Sequence, residues 1–126
     1  MVGKIAKVAL AAAFVLTLAG AAPATANPRD VIERGSCSGS SHWKLKLSPE
    51  DGRIEVEFEV DSNVSGQTWR VRLFQDGDKI FGGNRVTRGA SGSFDVRKVT
   101  GDGSGTDPFT ARATHEGETC RGSASI

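Results

Sequence analysis

The sequence predicts an all-β protein, a single antiparallel β-sandwich of about seven strands closed by one disulfide. Three observations carry this expectation. Apolar and polar residues alternate with period two through much of 42–124, and no stretch there holds a helical period. Clusters rich in Gly, Asp, Ser and Pro interrupt the alternation at regular spacing, as turns between short strands do. Two cysteines, Cys37 and Cys120, bracket nearly the whole alternating region.

The first 26 residues belong to a different part of the reading. Lys4 and Lys7 stand near the start with no acid, Val8 to Ala22 is an apolar run, and Ala24-Thr25-Ala26 follows Pro23. A basic start, a short apolar middle and an A-x-A site predict a secretory signal peptide over 1–26. The run falls short of the ~20 residues that a spanning helix needs, so no membrane association is expected after cleavage. Without these residues, 14 basic side chains face 15 acidic ones, and the net charge moves from +1 to −1. One hundred residues make one domain. That length and near-zero charge exclude a multidomain enzyme, and they disfavour a nucleic-acid binder, which needs a basic excess.

Residues 27–36 are expected to form an N-terminal arm, with the domain spanning 37–126. In an exported chain an even pair of cysteines reads as a disulfide, Cys37–Cys120. Metal ligation and a catalytic thiol are weaker uses for two cysteines so far apart, with only two histidines in the chain. Trp43, Leu45 and Leu47 alternate with His42, Lys44 and Lys46. Ser48-Pro-Glu-Asp-Gly52 is turn chemistry, and Ile54, Val56, Phe58 and Val60 then alternate with Glu55, Glu57 and Glu59. Placing Leu47 opposite Ile54 brings Leu45 to Val56 and Trp43 to Phe58. On the other face it brings Lys46 to Glu55, Lys44 to Glu57 and His42 to Glu59. A slip of one residue would spoil every pair.

Trp69, Val71 and Leu73 form the next inward stripe. Asp76-Gly77 is a two-residue hairpin turn returning through Lys79-Ile80-Phe81 to Gly82-Gly83. Phe94 and Val96 mark a further strand, followed by the glycine-rich loop 101–107. Phe109, Ala111 and Ala113 begin a last hairpin that turns at Glu116-Gly117 into Cys120, Gly122 and Ala124.

These strands resemble those of immunoglobulin-like (Ig-like) and fibronectin type III-like β-sandwiches. Trp69-Arg-Val-Arg-Leu73 is similar to their tryptophan-bearing strand C, and Asp107-Pro-Phe109-Thr-Ala111 to the D-x-Y-x-C start of strand F. Phe109 replaces the corner tyrosine, and Ala111 replaces the inter-sheet cysteine. The whole also resembles small secreted Ig-like proteins of actinobacteria. The resemblance implies strand C beside strand F, and a bacterial, extracellular protein. It implies no function, because this fold hosts many.

Chemistry-bearing residues are sparse. There is no tyrosine, and no G-x-S-x-G pattern marks a nucleophile. The oxygen-rich 102–107 segment lacks the spacing of a calcium loop. No catalytic residue, metal or cofactor is expected, and the protein is not expected to be an enzyme.

The second sheet is more informative. Pairing His115 with Glu118 sets Arg112 opposite Arg121 on the outside, and strand C beside strand F adds Arg70 and Arg72. Across the Asp76-Gly77 turn, Phe74 faces Lys79 and Arg72 faces Phe81. Arg70, Arg72, Phe74, Phe81, Arg112 and Arg121 are thus the candidate binding residues. Arginine's planar fork suits carboxylates and phosphates, and arginine and aromatics are enriched at interface centres. The expected partner is an acidic protein surface or an anionic cell-wall polymer, bound by a secreted monomer. The competing account has the arginine stems covering apolar surface with their heads in water. Two alternatives stay open for Phe74 and Phe81: cover by Val31 and Ile32 of the arm, or redirection by a bulge at Gly82-Gly83. The alternative function is a secreted inhibitor or hydrolase accessory protein presenting the 101–107 loop.

Overall fold

Alternation of inward and outward side chains needs two sheets face to face, and that is the architecture found. The computed structural model describes residues 28–126, so the expected signal peptide lies outside the described residues. Eight strands follow in order: β1 (Val31–Ser36), β2 (His42–Glu50), β3 (Arg53–Asp61), β4 (Thr68–Gln75), β5 (Asp78–Val86), β6 (Ser93–Gly101), β7 (Pro108–His115) and β8 (Glu118–Ser125). One antiparallel sheet runs β1-β2-β3-β6 and the other β5-β4-β7-β8. The tryptophan-bearing β4 lies beside β7, the strand C to strand F adjacency of an Ig-like sandwich. Among the described residues there is no helix, and so none long and apolar enough to cross a membrane.

The eighth strand is the segment expected to be an arm. Val31 to Ser36 pairs along β2 from Leu47 to His42, making β1 the edge of the first sheet. Val31 packs against the core, while Ile32, Glu33 and Arg34 are exposed. One apolar contact and a polar surface leave little alternation to read, so pairing with β2 decides the conformation.

The first hairpin keeps its faces but not its expected register. Leu47 lies opposite Val56, Leu45 opposite Phe58 and Trp43 opposite Val60, two residues away from the expected partners. The turn is tighter than the sequence suggested. Asp51 and Gly52 both take positive φ, 47° and 73°, and Ser48, Pro49 and Glu50 extend the strand. Two successive positive φ values make the hairpin turn whose twist matches its strands. A shift of two preserves every inward and outward assignment, so matching of charge and polarity excluded odd slips only. On the outside Lys44 meets Glu59, with its amine 3.8 Å from the carboxylate.

Leu45, Leu47, Ile54, Val56, Phe58, Val60, Trp69, Val71, Leu73, Val96 and Phe109 form the buried layer between the sheets. Trp69 and Phe58 are the largest side chains of this layer, and Ala111 and Ala113, opposite Leu73 and Val71, are among its smallest. The Trp69 ring lies 5.3 Å from that of His115 and 6.3 Å from that of Phe94. Its Nε1–H donates to Gln67 Oε1 at 3.3 Å. Such ring contacts add about 0.5–1.5 kcal/mol beyond burial.

The two sheets are joined along one side by covalent and close-packed contacts. Cys37, just after β1, is bonded to Cys120 in β8. Around it Ser38 N–H donates to Thr119 O at 2.9 Å, Thr119 N–H to Ser38 Oγ at 2.8 Å, and Ser41 N–H to Glu118 Oε1 at 2.9 Å. Trp43 fills the space between the edge strands. A Cβ at Gly35 would lie 2.6 Å from its indole, and one at Gly122 would lie 2.9 Å away. Only glycine lets β1 and β8 approach the ring so closely. The opposite side depends on loops: buried Thr87 donates its hydroxyl to Val64 O at 2.6 Å and accepts the Gln67 N–H at 2.9 Å.

Two stability predictions follow from this frame. The disulfide closes a loop across a sequence separation of 83 residues. Replacing both cysteines with serine is expected to cost about 4–5 kcal/mol in the chain-entropy model. Urea denaturation measures this, and a loss under about 1 kcal/mol would contradict the role assigned to the bridge. Gly92 has φ 60°, and a Cβ there would stand 2.2 Å from Val64 N, whereas Gly105 at φ 79° faces open space. Gly105→Ala should therefore cost only the left-handed penalty, about 1–2 kcal/mol, and Gly92→Ala clearly more. Equal midpoints for the two variants would contradict this.

Candidate anion-binding face of the second sheet

Strand alternation fixes which side chains leave the core of the second sheet. In β4 the buried Trp69, Val71 and Leu73 turn Arg70, Arg72 and Phe74 outward. Burial of Phe109, Ala111 and Ala113 in β7, and of Cys120, Gly122 and Ala124 in β8, likewise turns out Thr110, Arg112, Thr114, Arg121 and Ser123. Strand pairing then sorts them into rows across the sheet. Arg72 lies opposite Arg112, and Arg112 opposite Arg121, so three arginines from three strands form one line. Phe74, Thr110 and Ser123 form the row on one side, and Arg70, Thr114 and Thr119 the row on the other. Neighbouring positions in such a row are about 4.5–5.5 Å apart.

Five of the six candidate residues are brought together, and Phe81 is not. The Asp76-Gly77 turn sets Gln75 opposite Asp78 and Phe74 opposite Lys79, as expected. A bulge between Leu73 and Phe74 then leaves Ile80 without a partner and sets Phe81 opposite Leu73. Ile80 and Phe81 both pack against the core, and the Arg85 guanidinium lies 4.9 Å over the Phe81 ring. A regular ladder would have aimed one of two successive large apolar side chains at water; the bulge lets both pack inward. Arg72 consequently faces Gly82, over which the Lys79 side chain lies, about 3.6 Å from where a Cβ would be. Phe74 stays on the outer face, half-buried. β1 does not cover it, because β1 is hydrogen-bonded into the other sheet.

No outward position in the interior of this face is acidic, while Arg70, Arg72, Lys79, Arg112 and Arg121 are all cationic. Among the described residues none of the four arginines has an ion pair. The Arg112 Nε–H is buried and finds no acceptor, a state that costs about 1–3 kcal/mol for such a group. The first sheet behaves differently. There Arg97 lies 3.7 Å from Glu57 and 3.4 Å from Asp95, and Lys46 lies 3.6 Å from Asp30.

Two open clefts flank the arginine row. One, of about 360 Å³, lies over β7 and β8 with Phe74, Thr110, Arg112, Arg121 and Ser123 around it. The other, of about 300 Å³, lies over β4 and β5 with Arg70, Arg72, Lys79, Gly82 and Asn84. Thr110, Ser123 and Asn84 were not singled out from the sequence. Their signal is positional: each shares a row or a strand face with an arginine once the pairing is known.

The remaining polar groups serve the frame. His115 Nδ1 lies 2.8 Å from Thr68 O, and its ring stacks on Trp69. Among the described residues no three His, Cys, Asp or Glu side chains come together to hold a metal ion. The 101–107 loop is exposed from 101 to 106 and anchored by buried Asp107. The Asp107 carboxylate accepts the Gly103 N–H at 2.9 Å, while its backbone pairs with Ile126.

Asp76 and Asp102 approach Asp107. The Asp76 carboxyl is raised above its ordinary value by desolvation, then by a hydrogen bond and repulsion from Asp107 and by Asp78. Asp102 is raised by its hydrogen bond to Asp107, then by desolvation and the Asp107 charge.

With fold and face described, the chain is an Ig-like β-sandwich presenting an unpaired cationic sheet. No protein-family model, curated protein or solved structure matches it.

A carboxyl raised on folding favours the protonated form of the folded state. Its contribution to stability is complete below the ordinary value of 3.8 and is lost as pH rises through the raised value. Asp102→Asn keeps a neutral hydrogen-bonding group at every pH. The variant is expected to melt at a higher temperature than the parent at neutral pH, the gap closing on acidification below about 4. Thermal melts across that range check it, and a variant that is less stable at neutral pH would contradict it.

Proposed function

We propose that this chain is an exported, non-enzymatic binding module that holds an anionic, partly apolar partner on the outer face of β5-β4-β7-β8. The observation that carries this reading is the row Arg72–Arg112–Arg121, drawn from three strands with no acid on the face. Like charges directly opposed weaken a sheet, so the row costs stability that a bound anion would restore. The unmatched Arg112 Nε–H supports the same reading, since a ligand oxygen would satisfy it. Arginine stems lying over apolar surface would explain buried stems but not the exclusion of every acid from the face. Phe74, half-exposed at the end of β4, supplies the apolar part of the contact. Export is supported by the signal-like residues 1–26 and by the Cys37–Cys120 disulfide, a bond kept in oxidising compartments.

Replacing Arg70, Arg72, Arg112 and Arg121 together with glutamine tests the proposal. The parent protein is expected to recover an anionic partner from culture medium or cell wall, with recovery falling as salt is raised. The glutamine variant is expected to recover none while melting at the same or a higher temperature. Unchanged recovery of every partner would overturn the reading.

A further inference from the structure

We infer that the ligand of this face is an acidic polysaccharide carrying one anionic group per disaccharide, a substrate class that rests on the anion-binding reading above. The arrangement of the two clefts is the first argument. Each pairs two guanidinium groups with neutral polar side chains, Arg112 and Arg121 with Thr110 and Ser123, Arg70 and Arg72 with Asn84, and the second adds the Lys79 amine. One sits over β7 and β8 and the other over β4 and β5, so their centres are two strand spacings apart, about 10 Å. Two similar anion seats at that interval suit a repeating polymer whose charges recur at the length of a disaccharide. A single small anion would use one seat and leave the other empty.

Side-chain chemistry is the second argument. Phe74 stands beside Thr110 and next in its row to Lys79, and the Phe74–Thr110–Ser123 row runs alongside the arginine row. A flat aromatic surface accepts the apolar face of a sugar ring, hydroxyls exchange hydrogen bonds with ring hydroxyls, and the guanidinium fork takes the carboxylate. An acidic protein surface fits less well. Protein interface cores are rich in aromatic side chains as well as arginine, whereas this face offers one aromatic ring, Phe74. An extended acidic peptide would add to a sheet edge, and the cationic row lies across the interior strands β4 and β7.

Calorimetric titration of the purified protein with four probes tests this: a uronate-containing tetrasaccharide, its disaccharide, polyglutamate and inorganic polyphosphate. The tetrasaccharide is expected to bind more than about tenfold tighter than the disaccharide, because its second charge meets a second seat. Phe74→Ala should weaken the tetrasaccharide by roughly threefold to tenfold. Thr110→Val should weaken it by about twofold to tenfold. Neither substitution should change binding of polyglutamate or polyphosphate, whereas Arg112→Gln with Arg121→Gln should weaken all the probes. If polyglutamate or polyphosphate binds as tightly as the tetrasaccharide and ignores Phe74→Ala and Thr110→Val, the saccharide assignment falls and the anionic-face reading stands. If no probe binds, both fall.

Discussion

The seam between β1 and β8 is the constraint on which the rest of this sandwich depends. Cys37 and Cys120 are 83 positions apart, and joining them fixes the two ends of the fold to one another. The bond sits beside Trp43, whose indole presses on Gly35 from the first sheet and Gly122 from the second. A covalent link and a large half-buried ring thus hold the same edge. That matters for a domain with few large side chains. Leu, Ile, Val and Phe are sparse and two central positions of β7 are alanines, so burial alone leaves a narrow margin over chain entropy. With one side of the sandwich locked, the opposite side can be closed by loops around Thr87 and Gly92.

Holding the sheets together by their edges frees the outer faces from any duty in packing. Their charge patterns then diverge. On the first sheet, Glu57 of β3 stands between Lys46 of β2 and Arg97 of β6, and Lys44 pairs with Glu59. Arg97 also reaches Asp95, so the like-charged pairs Arg34–Lys44 and Glu59–Asp95 have opposite charges at hand. On the second, arginines stand beside arginines with no carboxylate to answer them. Both patterns come from strands of similar alternation, so alternation cannot account for the difference. The first sheet answers its cations with carboxylates, whereas the arginines of the second have no ion pair and the buried Arg112 Nε–H has no acceptor among the described residues.

The bulge in the β4–β5 hairpin shapes that second face. It packs Phe81 against the core and sets Gly82 opposite Arg72, replacing the expected ring with a glycine that the Lys79 side chain overlies. The face loses one aromatic side chain and gains the cleft bounded by Arg70, Arg72 and Asn84. A single extra residue, Ile80, therefore redistributes the surface between apolar and polar contact. The driving force is ordinary: complete burial of a phenylalanine side chain is worth about 1.5–3 kcal/mol, and the half-buried Phe81 gains a part of it.

By itself the sequence determined the quantities that depend on parity and on local turn chemistry. Inward and outward positions in 42–47, 54–60, 69–74 and 109–124, the Asp76-Gly77 and Glu116-Gly117 turns, and the cysteine pairing were all legible from period-two alternation and composition. Placing Arg70, Arg72, Phe74, Arg112 and Arg121 on one face needed more than alternation: it took the resemblance that sets strand C beside strand F. Tertiary structure decided whatever alternation leaves degenerate. The first hairpin could shift by two residues because an even shift preserves every face, and the Asp51-Gly52 turn chose between registers. Residues 31–36 became a strand because β2 had an unpaired edge to offer. Phe81 turned inward because the bulge set it opposite the buried Leu73, and the arginines formed a row because β4, β7 and β8 are neighbours. Pleating is a local property that each strand carries in its own residues, whereas register, bulges and rows belong to pairs of strands and are settled only when the strands meet.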